Sequence, residues 1–237
     1  MKYIFLLFFI STLISCKENK VSSSIPSQVK HVGAMKNVMK KGQLEGTIQL
    51  DTISPNENLF AIGPVEFLNG EITVFNGKSF VSKVETDSTM IISKTFGVKA
   101  PFLVYANVKD WKEISVPENV IDLYSLERFL TNLNFSENPF AFKMEADVEE
   151  ANIHIVNLPS GTIVSSPADA HQGQVNYILK NQIVDLIGFY STKHHAVFTH
   201  HDTNMHIHLI TKDQKQMGHL ENLVFKKGKT KLFLSNE

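Results

Sequence analysis

The sequence predicts an α+β chain that is rich in strands, has few helices and lacks regular βαβ alternation. Two Asn-Gly dipeptides, Asn69-Gly70 and Asn76-Gly77, bracket the run Glu71-Ile72-Thr73-Val74-Phe75, and Asn-Gly beside an apolar run is a strong hairpin signal. Apolar runs of strand length recur along the chain between turn residues. Only two segments carry a helical stripe, and no internal repeat is visible.

Taken in order, Gln28 to Lys41 sets Val29, Val32, Met35, Val38 and Met39 on one helical face. This predicts a core-packed helix stopped by Gly42. Glu71 to Phe75 and Lys78 to Val84 form a β-meander around the Asn-Gly turns. Ala100 to Val108 reads as a strand. Pro117 to Leu133 reads as a second helix, with Ile121, Leu123, Tyr124, Leu126, Phe129 and Leu130 as its apolar set. Pro139 to Met144 and Ile153 to Leu158 are two further strands, and Val175 to Tyr190 holds one or two more. His206 to Ile210 and Leu220 to Phe225 complete the set.

Composition narrows the function. The chain has 237 residues, 43% of them hydrophobic, enough for a substantial core and too apolar for a disordered protein. Net charge is -1, and Arg128 is the only arginine. Nucleic-acid binding is therefore not expected, because phosphate recognition leans on clustered Arg and Lys.

The first residues, MKYIFLLFFISTLISC, join a positive start to an apolar run shorter than the roughly 20 residues that span a bilayer. Residues 1–15 read as an export signal peptide. Leu13-Ile14-Ser15-Cys16 resembles the lipobox of bacterial lipoproteins, which makes Cys16 the expected lipidation site. An ordinary signal peptide with an incidental cysteine is the competing reading. Residues 16–28 then form a polar, lipid-anchored tether, and 29–237 the folded domain. A lipid-anchored place in the bacterial cell envelope follows as the expectation. Cys16 is the only cysteine, so no disulfide forms within the chain.

Seven of the ten histidines lie between His194 and His219. On a strand, His206 and His208 share a face. The polar turn Thr211 to Gln216 lets the next strand return beside it and bring His219 close. Three imidazoles with an open fourth position is a catalytic zinc arrangement, and zinc suits imidazole, although copper, nickel and iron accept it too. The competing reading is two histidines on a solvated strand and a satisfied turn residue. The pairs His194-His195 and His200-His201 read as rim residues, each able to offer at most one ligand. His31, His154 and His171 carry no motif and read as structural. Glu71, aimed by its tight turn, is the best carboxylate candidate, against a solvated strand-edge role.

These residues resemble the bacterial alpha-acetolactate decarboxylase family. The collinear segments are Leu44-Glu45-Gly46-Thr47-Ile48, Ile62-Gly63 through Gly77, Pro101-Phe102, Asn138 through Glu145, Gly188-Phe189-Tyr190-Ser191-Thr192 and His206-Ile207-His208-Leu209 with Gly218-His219-Leu220. The resemblance implies two strand-rich mixed β-sheet subdomains with a metal site between them, often as a homodimer. It implies zinc on His206, His208 and His219, proton handling by Glu71, and decarboxylation of 2-acetolactate or a related 2-hydroxy-3-oxo acid. The family's active-site arginine falls at Lys143, which keeps the charge without the rigid fork. Pro64 replaces a threonine. A glutamate that relatives return from a longer tail has no clear counterpart, with Glu66 or a nearby histidine as candidate substitute. Two other functions remain compatible with the residues: a non-catalytic zinc-binding envelope lipoprotein, and a different metal enzyme on a similar scaffold, such as a cupin-like oxygenase.

Overall fold

A computed structural model describes residues 28–53 and 57–236. The expected signal peptide, Cys16 and nearly all of the tether lie outside the described residues. The elements in chain order are β1 Lys30–Val32, α1 Met35–Lys41, β2 Ile48–Gln49, β3 Leu59–Pro64, β4 Glu71–Phe75, β5 Lys78–Val84, β6 Met90–Ser93, β7 Lys99–Ala100, β8 Leu103–Asn107, β9 Trp111–Ile114, α2 Leu123–Asn132, β10 Phe140–Ile155, α3 Pro167–Ala170, β11 Val175–Tyr190, β12 Met205–Thr211 and β13 Met217–Ser235. They build the strand-rich α+β architecture the sequence predicts.

One sheet runs β1-β8-β3-β4-β5-β6, and the other runs β10-β11-β12-β13-β9. In the second sheet β10 also pairs with β13, so β10, β11, β12 and β13 close into a ring. Each ladder between named strands of the two sheets is antiparallel, rather than mixed. Phe142, Met144, Leu186, Ile207, Leu209 and Leu232 fill the ring together with Leu126 and Leu130 of α2. A second cluster holds Phe60, Ile62 and Val104 of the first sheet against Ala141, Ile187 and Phe189 of the ring. The two sheets therefore pack face to face.

The helix expected over 28–41 is shorter. Lys30 to Val32 pairs with β8, and the helix starts only at Met35. Gly33 separates the two at φ 68°, and a Cβ there would lie 2.2 Å from the Pro101 carbonyl oxygen. That left-handed turn breaks the helical stripe. Gly42 does stop the helix, at φ 63°. The two strands expected at 139–144 and 153–158 are one strand, β10, held on both edges by β11 and β13.

The second helix begins at Leu123, six residues after the expected start at Pro117, because Asp122 caps it. The Ser125 amide donates to Asp122 Oδ1 at 2.8 Å, and Ser125 Oγ accepts from the Asp122 amide at 3.0 Å. The hydrogen bonds from Ser125 hold the Asp122 carboxyl below its usual range. Asp122→Ala is expected to cost about 1 kcal/mol, read as a lower urea midpoint. Because the folded carboxyl is the stronger acid, this contribution is full above the unfolded pKa and is lost as pH falls through the lowered folded one. The gap between wild type and variant should close in acid.

Candidate metal centre

Alternation along β12 sets the site. Met205, Ile207 and Leu209 point into the ring core. His206 and His208 point the other way, toward the first sheet, and both are buried. His219 on β13 is the direct cross-strand partner of His208. Its other neighbour, on β10, is His154. One row of imidazoles thus crosses three strands, with the His154 and His219 rings stacked at 4.6 Å.

The ligand atoms of His206, His208 and His219 lie within 4.8 Å of one another. Burial pushes all three imidazoles below their usual range, His206 to about 3, so they present neutral nitrogens. His208 Nε2 and His206 Nδ1 are buried without a hydrogen-bond partner. Leaving such atoms unsatisfied is costly. Neutral, convergent, unsatisfied imidazole nitrogens are what a zinc-type ion takes, so the donor set fits such an ion.

The first sheet supplies the outer contacts. Thr73 Oγ1 sits 2.9 Å from His208 Nδ1, which leaves Nε2 to face inward and fixes the ring as an outer-shell partner does. Two residues away on the same face, Glu71 brings Oε2 to 3.7 Å from His208 Nε2. Its Oε1 accepts from the Val156 amide at 3.3 Å. Burial raises the Glu71 carboxyl well above its usual range, and the nearby Glu221 charge adds to this. A buried carboxyl whose proton is held more tightly than usual is suited to handle a proton at the histidines.

The structure thus brings together His206, His208, His219 and Glu71. It does not bring Lys143 to them. Lys143 lies near the opposite end of β10 from His154, with Nζ 4.8 Å above the Trp111 ring and 5.2 Å from that of Phe233. Glu66 also stays apart and accepts from the Gly46 amide. Of the rim histidines, His200 reaches inward, its Nε2 3.0 Å from His219 Nε2. His154, read as structural from sequence, instead faces Glu71 and contacts the Glu221 carboxylate. The hydrogen bond from His154 holds Glu221 below its usual range. Thr73 and Glu221 were missed, although each stands two residues from a candidate, Glu71 and His219, on a strand where that spacing means the same face.

A cavity of about 210 Å³ opens over these groups, with Glu71, His154, His206 and His219 in its wall. Met35, Met39 and Phe102 form its apolar side, and His200 and Ala196 lie on the loop between β11 and β12. That loop is tied to α1 by Met35 N to Val197 O and Lys36 N to Ala196 O, each 2.8 Å.

Comparison with known proteins gives a consistent family. The family model described as alpha-acetolactate decarboxylase matches residues 31–236. An alpha-acetolactate decarboxylase of Brevibacillus brevis is 28% identical over 192 residues, which are 80% of this chain and 64% of that protein. The match thus spans less than two thirds of the curated relative. The crystal structure of the alpha-acetolactate decarboxylase from Bacillus subtilis strain 168 superposes with a TM-score of 0.71 at 19% identity, over 89% of this chain and 86% of that one. A Staphylococcus aureus protein of unknown function, described as similar to alpha-acetolactate decarboxylase, gives 0.69 at 17% identity, over 88% and 85%. These structures share the fold.

Proposed function

We infer function from one premise: the chain belongs to the alpha-acetolactate decarboxylase family. It is a zinc-dependent decarboxylase of 2-acetolactate or a related 2-hydroxy-3-oxo acid. The observation that carries this reading is the convergence of three buried imidazoles beside a buried carboxyl.

His206, His208 and His219 would hold the ion, and Thr73 keeps the His208 ring in its binding orientation. Zinc held there supplies Lewis acidity toward the substrate's oxygens, where negative charge develops as CO2 leaves. The apolar wall of Met35, Met39 and Phe102 excludes water from the alkyl side of the substrate. Breaking the bond between the carboxyl carbon and C2 leaves its electron pair shared between C2 and the adjacent carbonyl. Glu71 Oε2, the oxygen turned toward the histidines, then gives a proton to the carbon, yielding the hydroxyketone. Glu71 recovers that proton from solvent before the next turn.

The test is acetoin formation from 2-acetolactate by the zinc-loaded protein, with His208→Ala as control. Turnover is expected in the wild type. Its loss in the control is expected together with loss of bound zinc, because one ligand of three and the anchor to Thr73 both disappear. Zinc retained in the wild type without acetoin would overturn the enzyme reading and favour a zinc-binding lipoprotein.

A further inference from the structure

A 2-hydroxy-3-oxo acid carries a carboxylate, and that charge needs a cationic partner. Neither Lys143, the expected cation, nor the lone Arg128 supplies one at the cavity. Lys143 sits at the far end of β10, and Arg128 lies over the Tyr124 ring on α2. The cavity has its own cations. Lys36 and Lys40 of α1 line it, four residues apart and so on one helical face. Met35 and Met39, with the same spacing, set the apolar stripe beside them. Both lysines are exposed, and neither enters an ion pair among the described residues. Among the described residues the only carboxyl in the cavity wall is Glu71, deep beside His208.

We propose that Lys36 and Lys40 hold the substrate carboxylate at the cavity mouth, with the hydroxyl and carbonyl oxygens directed inward to the histidines. This rests on the decarboxylase reading and names the groups that orient its substrate. The placement suits the chemistry. The carboxylate must leave as CO2, and at the mouth it leaves toward solvent. A grip by two solvated, flexible ammonium groups is weak, so it orients the charge without trapping it. Such a loose grip is made about equally in the bound substrate and in the transition state, so it appears in KM rather than in kcat. The two backbone bonds from Met35 and Lys36 to the Ala196-Val197 loop fix α1 against the site, so the pair has a defined position.

The test uses the zinc-loaded protein and two probes of similar size that differ in charge. One is the reduced substrate, 2,3-dihydroxy-2-methylbutanoate. The other is the neutral triol in which CH2OH replaces the carboxylate. In Lys36→Gln/Lys40→Gln the acid should bind about tenfold more weakly, from two exposed charge pairs, while the triol binds as before. KM for 2-acetolactate should rise with kcat changed by less than about twofold. Added salt should weaken the acid in the wild type and have little effect in the variant. Lys41→Gln, on the same helix but outside the cavity wall, should change none of these. Equal binding of the acid by wild type and double variant would overturn the proposal while leaving the decarboxylase reading intact. A wild type that binds neither probe would overturn the decarboxylase reading, and this proposal with it.

Discussion

Glu71→Gln is expected to lower kcat for 2-acetolactate by about a hundred- to ten-thousand-fold, the usual worth of a positioned acid or base, with zinc content unchanged. Glutamine keeps the size of the side chain and can still accept from the Val156 amide through its carbonyl. What it removes is the ionisable carboxyl beside His208, the group placed to give the proton. Zinc content should hold, because the three imidazoles and Thr73 are untouched. Paired measurements of kcat and of bound zinc decide the matter. A kcat near the wild-type value would remove Glu71 from the proton step and turn attention to His154.

Gly188→Ala is expected to cost the fold about 3 kcal/mol or more, the upper end of what overpacking does. Gly188 is the cross-strand partner of Phe142, whose ring lies across it. A Cβ at Gly188 would fall 2.2 Å from Phe142 Cζ and within 2.7 Å of both Cε atoms. Phe142 is fully buried in the ring core, so its ring has no empty space to enter. A domain is stable by only about 5–15 kcal/mol in total, so the urea midpoint should fall sharply. The neighbours Ile187 and Phe189 pair with His208 and His206, so zinc affinity should fall as well. A loss under about 1 kcal/mol would mean that the core yields more easily than its packing suggests.

The features legible in the sequence are those set by local chemistry. Asn76-Gly77 marked the β4–β5 hairpin because its turn needs left-handed residues, and the two sit at φ 50° and 72°. The pair His206 and His208 was legible because a strand has a period of two. What escaped depends on distant pairing. Glu145 to Asn152 is acidic and reads as a break, but ladders on both sides make it strand. His154 looked structural because its role comes from a neighbour, His219, that only the β10–β13 register supplies. Lys143 was placed by local similarity alone, and β10 carries it away from the histidines. The Met35-Met39 stripe read as core packing, and both methionines do pack against the cluster around Val38; what the stripe alone did not show is that they and the two lysines also edge the cavity.

The closed ring of β10, β11, β12 and β13 also sets an order of events in time. His206, His208 and His219 share the local β12–β13 hairpin, whereas the β10–β13 ladder that shuts the ring joins distant parts of the chain. Contacts of such long sequence separation form late and slowly. The imidazole trio, set by the hairpin alone, therefore comes together before the ring is complete. Thr73 and Glu71 reach His208 only once the first sheet packs against the ring, so the outer contacts of the trio are the last part of the site to form.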